Sequence, residues 1–266
     1  MRMQIFTVDC FTDRPFAGNP NAVCLVDSAW PDDDWLQQVA AEFNLPATAF
    51  VDRDRPHATL RWFSPRNELA LCGSGTLAAA HTLWESGECA SPLIFNTCAG
   101  TLRAHQESNR RITMDFPIDD LRPVPTLPTL TRALGATPVA VLRGRLDVLV
   151  ELDSAQTVRD LAPDLTAVAR LDVRGVIVTA AGDTDSDFVS RFFAPAAGID
   201  EDPVTASAHC SLAPYWSKKL GKTSVSGLQV SARGGRVEAH LRDDGVSISG
   251  RAITVTRGEL VISRGS

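Results

Sequence analysis

Arg61-Trp62-Phe63-Ser64-Pro65 returns as Arg191-Phe192-Phe193-Ala194-Pro195, 130 residues further along the chain. Each stretch leads through a loop into a run with helical character. The first run opens near Ser74-Gly75-Thr76, continues as Leu77-Ala78-Ala79-Ala80-His81-Thr82-Leu83-Trp84 and meets Gly87, a residue suited to closing a helix. The second opens near Thr205-Ala206-Ser207 and passes through Leu212, Tyr215 and Trp216 to Gly221. Trp84 and Trp216 stand 132 apart, so the two copies match with an insertion of about two residues ahead of the helix. A repeat of this length used only twice makes no solenoid. It reads as a duplication into two pseudo-symmetric halves, each with strands packed around an Ala-rich, buried helix.

Strand-like runs bounded by turn residues surround both helices. They cover 5–10, 22–26, 49–51, 59–63 and 111–116 in the first half, then 146–152, 175–180, 188–193, 229–232 and 236–242 in the second, with 252–256 beyond. The Pro-rich stretch Arg122-Pro123-Val124-Pro125-Thr126-Leu127-Pro128 reads as a linker over 121–129. It separates a first half over 1–120 from a second over 130–251, with a closing strand over 252–264 expected to return to the first half.

Composition excludes several classes. The 266 residues carry a net charge of −6 with 44% hydrophobic and 22% charged residues, which is ordinary for a globular protein and offers no basic footprint for nucleic acid. Arg2 and Asp9 interrupt the start too early for a signal peptide, and no apolar run approaches the ~20 residues of a membrane helix, so a cytoplasmic protein is expected. Cys10, Cys24, Cys72, Cys89, Cys98 and Cys210 form no C-x-x-C pair, which argues against zinc clusters and redox dithiols.

Helix starts present unpaired N–H groups and the positive end of a dipole. Two such starts facing one cleft would hold an anion, most simply a carboxylate. The candidates are Gly73, Ser74, Gly75 and Thr76 at the first start and Ala206 and Ser207 at the second. Plain N-capping by Ser74, Thr205 and Ser207 is the alternative at either start. His81 and His209 lie within the helices, where packing or capping is the simpler role.

At these residues the chain resembles the phenazine-biosynthesis PhzF-like family, a branch of the diaminopimelate epimerase fold. The opening Val8-Asp9-Cys10-Phe11-Thr12-Asp13-Arg14-Pro15-Phe16-Ala17-Gly18-Asn19-Pro20, the Leu71-Cys72-Gly73 turn and the stretch from Arg191 to Thr205 carry the resemblance, which spans essentially the whole chain. It implies an α+β fold of two halves, each a strongly curved, mostly antiparallel sheet wrapped around a central helix. It also implies a homodimer, no cofactor, no metal, and a small carboxylate-bearing metabolite as partner, with Asn19 among the substrate-binding residues. The departures matter as much. The family's catalytic Glu falls at Ala47 of Asn44-Leu45-Pro46-Ala47-Thr48-Ala49-Phe50, its usual His after Cys-Gly is Ser74, and a usual Gly is Ala206. The epimerase's second thiol position falls at Val204, and Cys210, six residues on, lies too far along the helix to replace it. Asp202, Cys72 and Ser74 remain for proton transfer. A cofactor-independent isomerase or epimerase of a small acid is the leading expectation. A non-catalytic binder of small acids, or a lyase or cyclisation enzyme on the same scaffold, stays open beside it.

Overall fold

A computed structural model describes residues 2–27, 29–53, 57–87, 91–183 and 185–261. Its contacts divide the chain into one unit of Met1–Asp115 with Ser249–Ser266 and another of Phe116–Ile248. The first contains β1 (Arg2–Cys10), β2 (Asn19–Val26), α1 (Asp33–Phe43), β3 (Ala47–Asp52), β4 (His57–Phe63), β5 (Glu68–Leu69), α2 (Gly73–Glu85), β6 (Leu93–Thr97), β7 (Gly100–Gln106) and β8 (Ile112–Phe116). The second contains β9 (Arg122–Pro123), α3 (Pro128–Leu134), β10 (Ala140–Arg143), β11 (Asp147–Glu151), α4 (Ala155–Asp160), α5 (Leu165–Val168), β12 (Gly175–Ala181), β13 (Phe188–Ala194), β14 (Ile199–Asp202), α6 (Ala206–Leu220), β15 (Ser224–Gln229), β16 (Gly235–Arg242) and most of β17 (Gly245–Gly250). The last strand, β18 (Ala252–Val261), pairs antiparallel with β1 of the first unit, and residues 262–264 of the expected closing strand lie outside the described residues.

The duplication is written in the order of strand pairings. In the first unit β1–β2 is antiparallel, β2–β3 parallel, β3–β4 antiparallel, β4–β6 parallel and β6–β7 antiparallel. The second unit repeats this order with β10–β11, β11–β12, β12–β13, β13–β15 and β15–β16. Each parallel step needs a crossover, and helices supply it at the same places: α1 or α4 with α5 at the first, α2 or α6 at the second. The central helices are the buried ones. Ala78, Ala79 and Ala80 of α2 have no exposed surface where the helix packs against β1, β2, β3 and β18. In α6, Leu212 and Ala213 are equally buried, and that helix packs against β11, β15 and β16. None of the described helices is long and apolar enough to cross a membrane.

Three expectations need correction, and one helix was not anticipated. The Pro-rich stretch is built into the second unit: Arg122 and Pro123 pair with Arg143 and Leu142, and Pro128 opens α3. Proline is tolerated at the first turn of a helix and in short edge strands, so its density did not mark a free linker. The strand expected over 229–232 ends at Gln229 and begins at Ser224 instead. Beyond it Ser231 Oγ donates to the Pro203 carbonyl and accepts from the Gly234 amide, which turns the chain out of the ladder. The two tryptophans are not equivalent. Counted from the N-caps, Cys72 and Thr205, the offset is 133, so Trp216 falls opposite the buried Leu83 and Trp84 sits one helical position away. Finally, α1 went unread, although Asp32 caps it by accepting from the Trp35 amide and Leu36, Val39 and Ala40 bury one face against Cys24, Val26, Phe50 and Phe63.

One charged contact recurs in both units. Arg61 donates through Nε and Nη2 to both oxygens of Glu68, each at 2.8 Å, and Arg191 does the same to Glu201 at 2.7 and 2.8 Å. In each case the guanidinium also lies over the Phe two residues on, Phe63 or Phe193. The second pair is the more enclosed: the Arg191 side chain is 13% exposed against 24% for Arg61, and Arg191 Nη1 also donates to the Leu161 carbonyl at 2.6 Å. Breaking an enclosed pair leaves a buried charge uncompensated, whereas an exposed pair contributes little. Urea unfolding should therefore show Glu201→Gln losing about 2–3 kcal/mol and Glu68→Gln less than about 1 kcal/mol. Equal losses would contradict the ranking by burial.

Candidate active site

The first helix start is assembled from α2, β2 and β3. Cys72 is its N-cap, in extended backbone, and Sγ accepts from the Gly75 amide at 3.4 Å. Gly75 is required by packing: a Cβ there would stand 2.6 Å from Cδ1 of the buried Trp62. Ser74 Oγ lies 3.5 Å from Cys72 Sγ and donates to Asn21 Oδ1 at 3.3 Å. Asn21 in turn donates from Nδ2 to the carbonyl and Oδ1 of Asn19. The parallel register of β2 and β3 sets Ala47 directly beside Asn21, so the position that resembles the family's Glu does neighbour this start, and it carries a buried methyl group.

Not every expected donor is available. The Thr76 amide and hydroxyl both bond to the Cys72 carbonyl, at 3.0 and 2.8 Å, which turns Thr76 into the helix and removes it from the set of ligand donors. The Gly75 amide is taken by Cys72 Sγ, which leaves the amides of Gly73 and Ser74 as this start's outward donors. Asn19 is buried and accepts from Asn21 Nδ2. Burial pushes the Cys10 thiol well up, and the nearby Cys72 and Asp9 act in the same direction, so Cys10 stays a thiol and donates to the Ser74 carbonyl at 3.4 Å.

The second start is more strongly charged. Asp202 ends β14 opposite Phe192 and is 9% exposed. Thr205 Oγ1 donates to Asp202 Oδ2 at 2.5 Å, and the Thr205 amide donates to Gln229 Oε1 at 2.9 Å. Ala206 is buried and Ser207 partly so; Ser207 Oγ accepts from Arg174 Nη2 at 3.2 Å. Arg174 also grips Asp147 with Nε at 2.9 Å and with Nη2, and lies over Phe192. Burial opposes its charge, but the paired Asp147, with Asp202 and Asp119 nearby, more than compensates and raises its pKa. Its Nη1 hydrogen-bonds to none of the described residues, although the side chain is 30% exposed.

Val204 is a core side chain with no exposed surface, and burial raises the Cys210 thiol to about 12, so neither supplies a second reactive thiol. His209 is buried beneath α6 with its ring against Phe188. Its Nδ1 lies 2.8 Å from the Thr205 carbonyl, which only accepts, so Nδ1 carries the hydrogen and buried Nε2 is left with a lone pair. Asn21, Arg174 and Gln229 escaped the sequence reading. Asn21 had a signal, since it shares the strand face of Asn19 two residues away; the other two act across 33 and 24 residues and had none.

Two duplicated units, each a mixed sheet around a central helix whose start gathers the polar side chains, define the class of the racemase and epimerase folds. A probable proline racemase from Agrobacterium radiobacter K84 shares the fold at a TM-score of 0.64 over 98% of this chain and 93% of its own, at 13% identity. A PhzF-family phenazine biosynthesis protein from Enterococcus faecalis matches at a TM-score of 0.93 and 38% identity, covering 98% of this chain and all 100% of that one. An uncharacterized isomerase of Pseudomonas aeruginosa is 48% identical over 264 residues, 99% of this chain and 100% of that protein. The family described as phenazine biosynthesis-like protein matches residues 8–258. The chain belongs to this PhzC-PhzF family, in which related proteins carry the name isomerase.

The environment of His209 has a measurable consequence. Burial lowers its pKa from 6.5 to about 4, so the folded protein binds fewer protons than the unfolded chain between those values. This contribution to stability is complete above pH 6.5 and is lost as the pH falls towards 4, by ~3 kcal/mol. His209→Asn keeps a donor at the Nδ1 position without the titration. Urea midpoints between pH 7 and 4 should fall less steeply in that variant; parallel curves would show that His209 is not the titrating group.

Proposed function

We propose that the protein is a cofactor-independent isomerase of a small carboxylic acid, with Asp202 carrying the proton. The observation that supports this most is the grouping at the start of α6. A nearly buried carboxylate, a guanidinium with a donor to spare and a partly exposed serine stand together at the positive end of the helix. Arg174 Nη1 and the first amides of α6 would hold the substrate carboxylate. That charge neutralisation acidifies the adjacent C–H, and Asp202 removes the proton and returns it elsewhere on the carbon skeleton. Cys72 and Ser74 at the start of α2 form a separate candidate set for proton transfer, with the amides of Gly73 and Ser74 as its own carboxylate donors.

Ala47 favours a second reading, a binder of small acids without catalysis. A methyl group beside Asn21 moves no proton, and nothing else on β3 replaces a carboxylate at that place.

The two readings separate in D₂O. The protein is incubated with a panel of small amino, hydroxy and unsaturated acids, and deuterium incorporation is followed by NMR. Exchange into a bound acid should fall ~10²- to 10⁴-fold in Asp202→Asn, a change that preserves size and removes the proton carrier. Exchange that persists in Asp202→Asn and disappears in Cys72→Ser would assign the base to the thiol. Tight binding of an acid with no exchange in the unmodified protein favours the binder, and isomerisation gained by Ala47→Glu would then identify the lost group.

A further inference from the structure

A cavity of about 500 Å³ lies within the first unit, against the last turns of α2. Asp13, Arg110 and Arg251 stand exposed around it, and His81, Trp84 and Thr254, half-buried, line it more deeply. It is separate from the start of that helix. His81 and Trp84 follow the N-cap Cys72 by nine and twelve residues, which at the rise of an α-helix places them about 14 and 18 Å further along the axis.

Most of the ionised side chains here are spent on one another. Glu85 accepts from the Thr254 hydroxyl at 2.5 Å and pairs with Arg257 Nη2 at 2.9 Å. In the β7–β8 turn Glu107 takes both Nε and Nη2 of Arg111, at 3.0 and 2.8 Å. Three charges remain, because the side chains of Asp13, Arg110 and Arg251 pair with none of the described residues. Asp13 and Arg251 nevertheless sit on bonded backbone, since the Arg251 carbonyl accepts from the amides of Phe11 and Thr12 at 2.7 and 3.3 Å. Arg110 stands in left-handed backbone at φ 65°, its amide tied to the Glu107 carbonyl at 2.9 Å. A long cation in that conformation costs energy that its contacts within the protein do not return.

The imidazole of the cavity is held neutral. Burial opposes the charge of Glu85, but Thr254, His81 and Arg257 outweigh it and keep the carboxyl below its ordinary value. The Thr254 hydroxyl therefore gives its hydrogen to Glu85, and at 3.1 Å Thr254 Oγ1 accepts from His81 Nε2. Burial lowers the pKa of His81; Glu85 opposes this, and Arg257 and Arg110 add to the lowering.

We infer that this cavity binds a small organic oxyanion that also carries a hydroxyl or an amine, with Arg110 and Arg251 holding the oxyanion and Asp13 accepting from the hydroxyl or amine. Guanidinium forks suit carboxylate and phosphate alike. An oxyanion by itself fills only a small part of such a volume, and Trp84 and Ile253 offer apolar surface to an attached carbon skeleton. The negative end of α2 works against an anion, but by less than one charge-assisted hydrogen bond works for it. Occupation neutralises Arg110, one of the two cations that lower His81, so the imidazole takes its proton more readily in the complex. None of this depends on the chemistry at the start of α6.

The intact protein is titrated at fixed ionic strength with malate and with glycerol phosphate, while NMR follows the Trp84 indole N–H and the His81 ring, assigned through Trp84→Phe and His81→Gln. Saturable shifts at both residues are expected, and the compound that produces them identifies the oxyanion as carboxylate or phosphate. Arg110→Gln and Arg251→Gln, which break no contact among the described residues, should each weaken binding about tenfold. The analogue without the hydroxyl, succinate or ethyl phosphate, should bind about tenfold more weakly, and Asp13→Asn should remove that difference. The His81 titration should move to higher pH in the complex. Arg174→Gln, which alters the site at the start of α6, should leave the shifts at Trp84 and His81 in place even if no acid is isomerised. Shifts that never saturate, that survive both arginine substitutions, or that vanish in Arg174→Gln overturn the proposal, as does equal affinity for the hydroxylated and plain compounds.

Discussion

A guanidinium laid flat against a carboxylate holds each unit's central helix at its entrance. Arg61 on β4 fixes Glu68, and Arg191 on β13 fixes Glu201. In both units the helix begins five residues after that glutamate, at Gly73 and at Ala206. The short segment between has little freedom once one end is clamped, so the paired fork decides where the first turn of the helix points. A lysine could supply the charge but not the two parallel donors, and the direction would be lost. The same contact recurs ahead of two buried helices whose starts gather polar groups.

Duplication has preserved this frame and let the chemistry diverge. At the start of α2 the N-cap is a thiol, supported by Ser74 and by Asn21 on the neighbouring strand. At the start of α6 the N-cap is a threonine held between a carboxylate and a buried amide, with an arginine and its aspartate alongside. The same backbone thus offers a neutral start in one unit and a charged one in the other. Ala47 accentuates the contrast, because it leaves the neighbourhood of the first start without a carboxylate where the related isomerising enzymes are expected to have one.

What could be read from the linear chain was whatever repeats or punctuates. The twin pentapeptides and the glycines closing both helices marked the frame, and Gly87 and Gly221 do stand in left-handed backbone past the last turns; the expected caps Ser74 and Ser207 lie inside their helices, and Thr205 stands at the N-cap without a capping side-chain bond. Composition misled where one residue type serves two ends: Pro123 ends a short strand and Pro128 starts a helix instead of spacing two domains. The Trp84–Trp216 coincidence misled in a subtler way, since one residue along a helix turns a side chain by about 100° and exchanges a core position for a partly exposed one. Of the candidate site, the two helix starts were legible. Arg174 and Gln229 were not, because an arginine in a loop and a glutamine at a strand end acquire meaning only from partners brought in by the sheet.

The return of β18 to β1 makes the first unit discontinuous in the chain while the second is continuous. During synthesis on the ribosome the order of completion is therefore inverted. The whole of 116–248 emerges before Ala252–Val261 exists, so the later unit can close while β1 still lacks its outer neighbour. Until then β1 presents a nine-residue edge to solvent or to any other nascent strand, a stretch where chaperone capture or misassembly would begin.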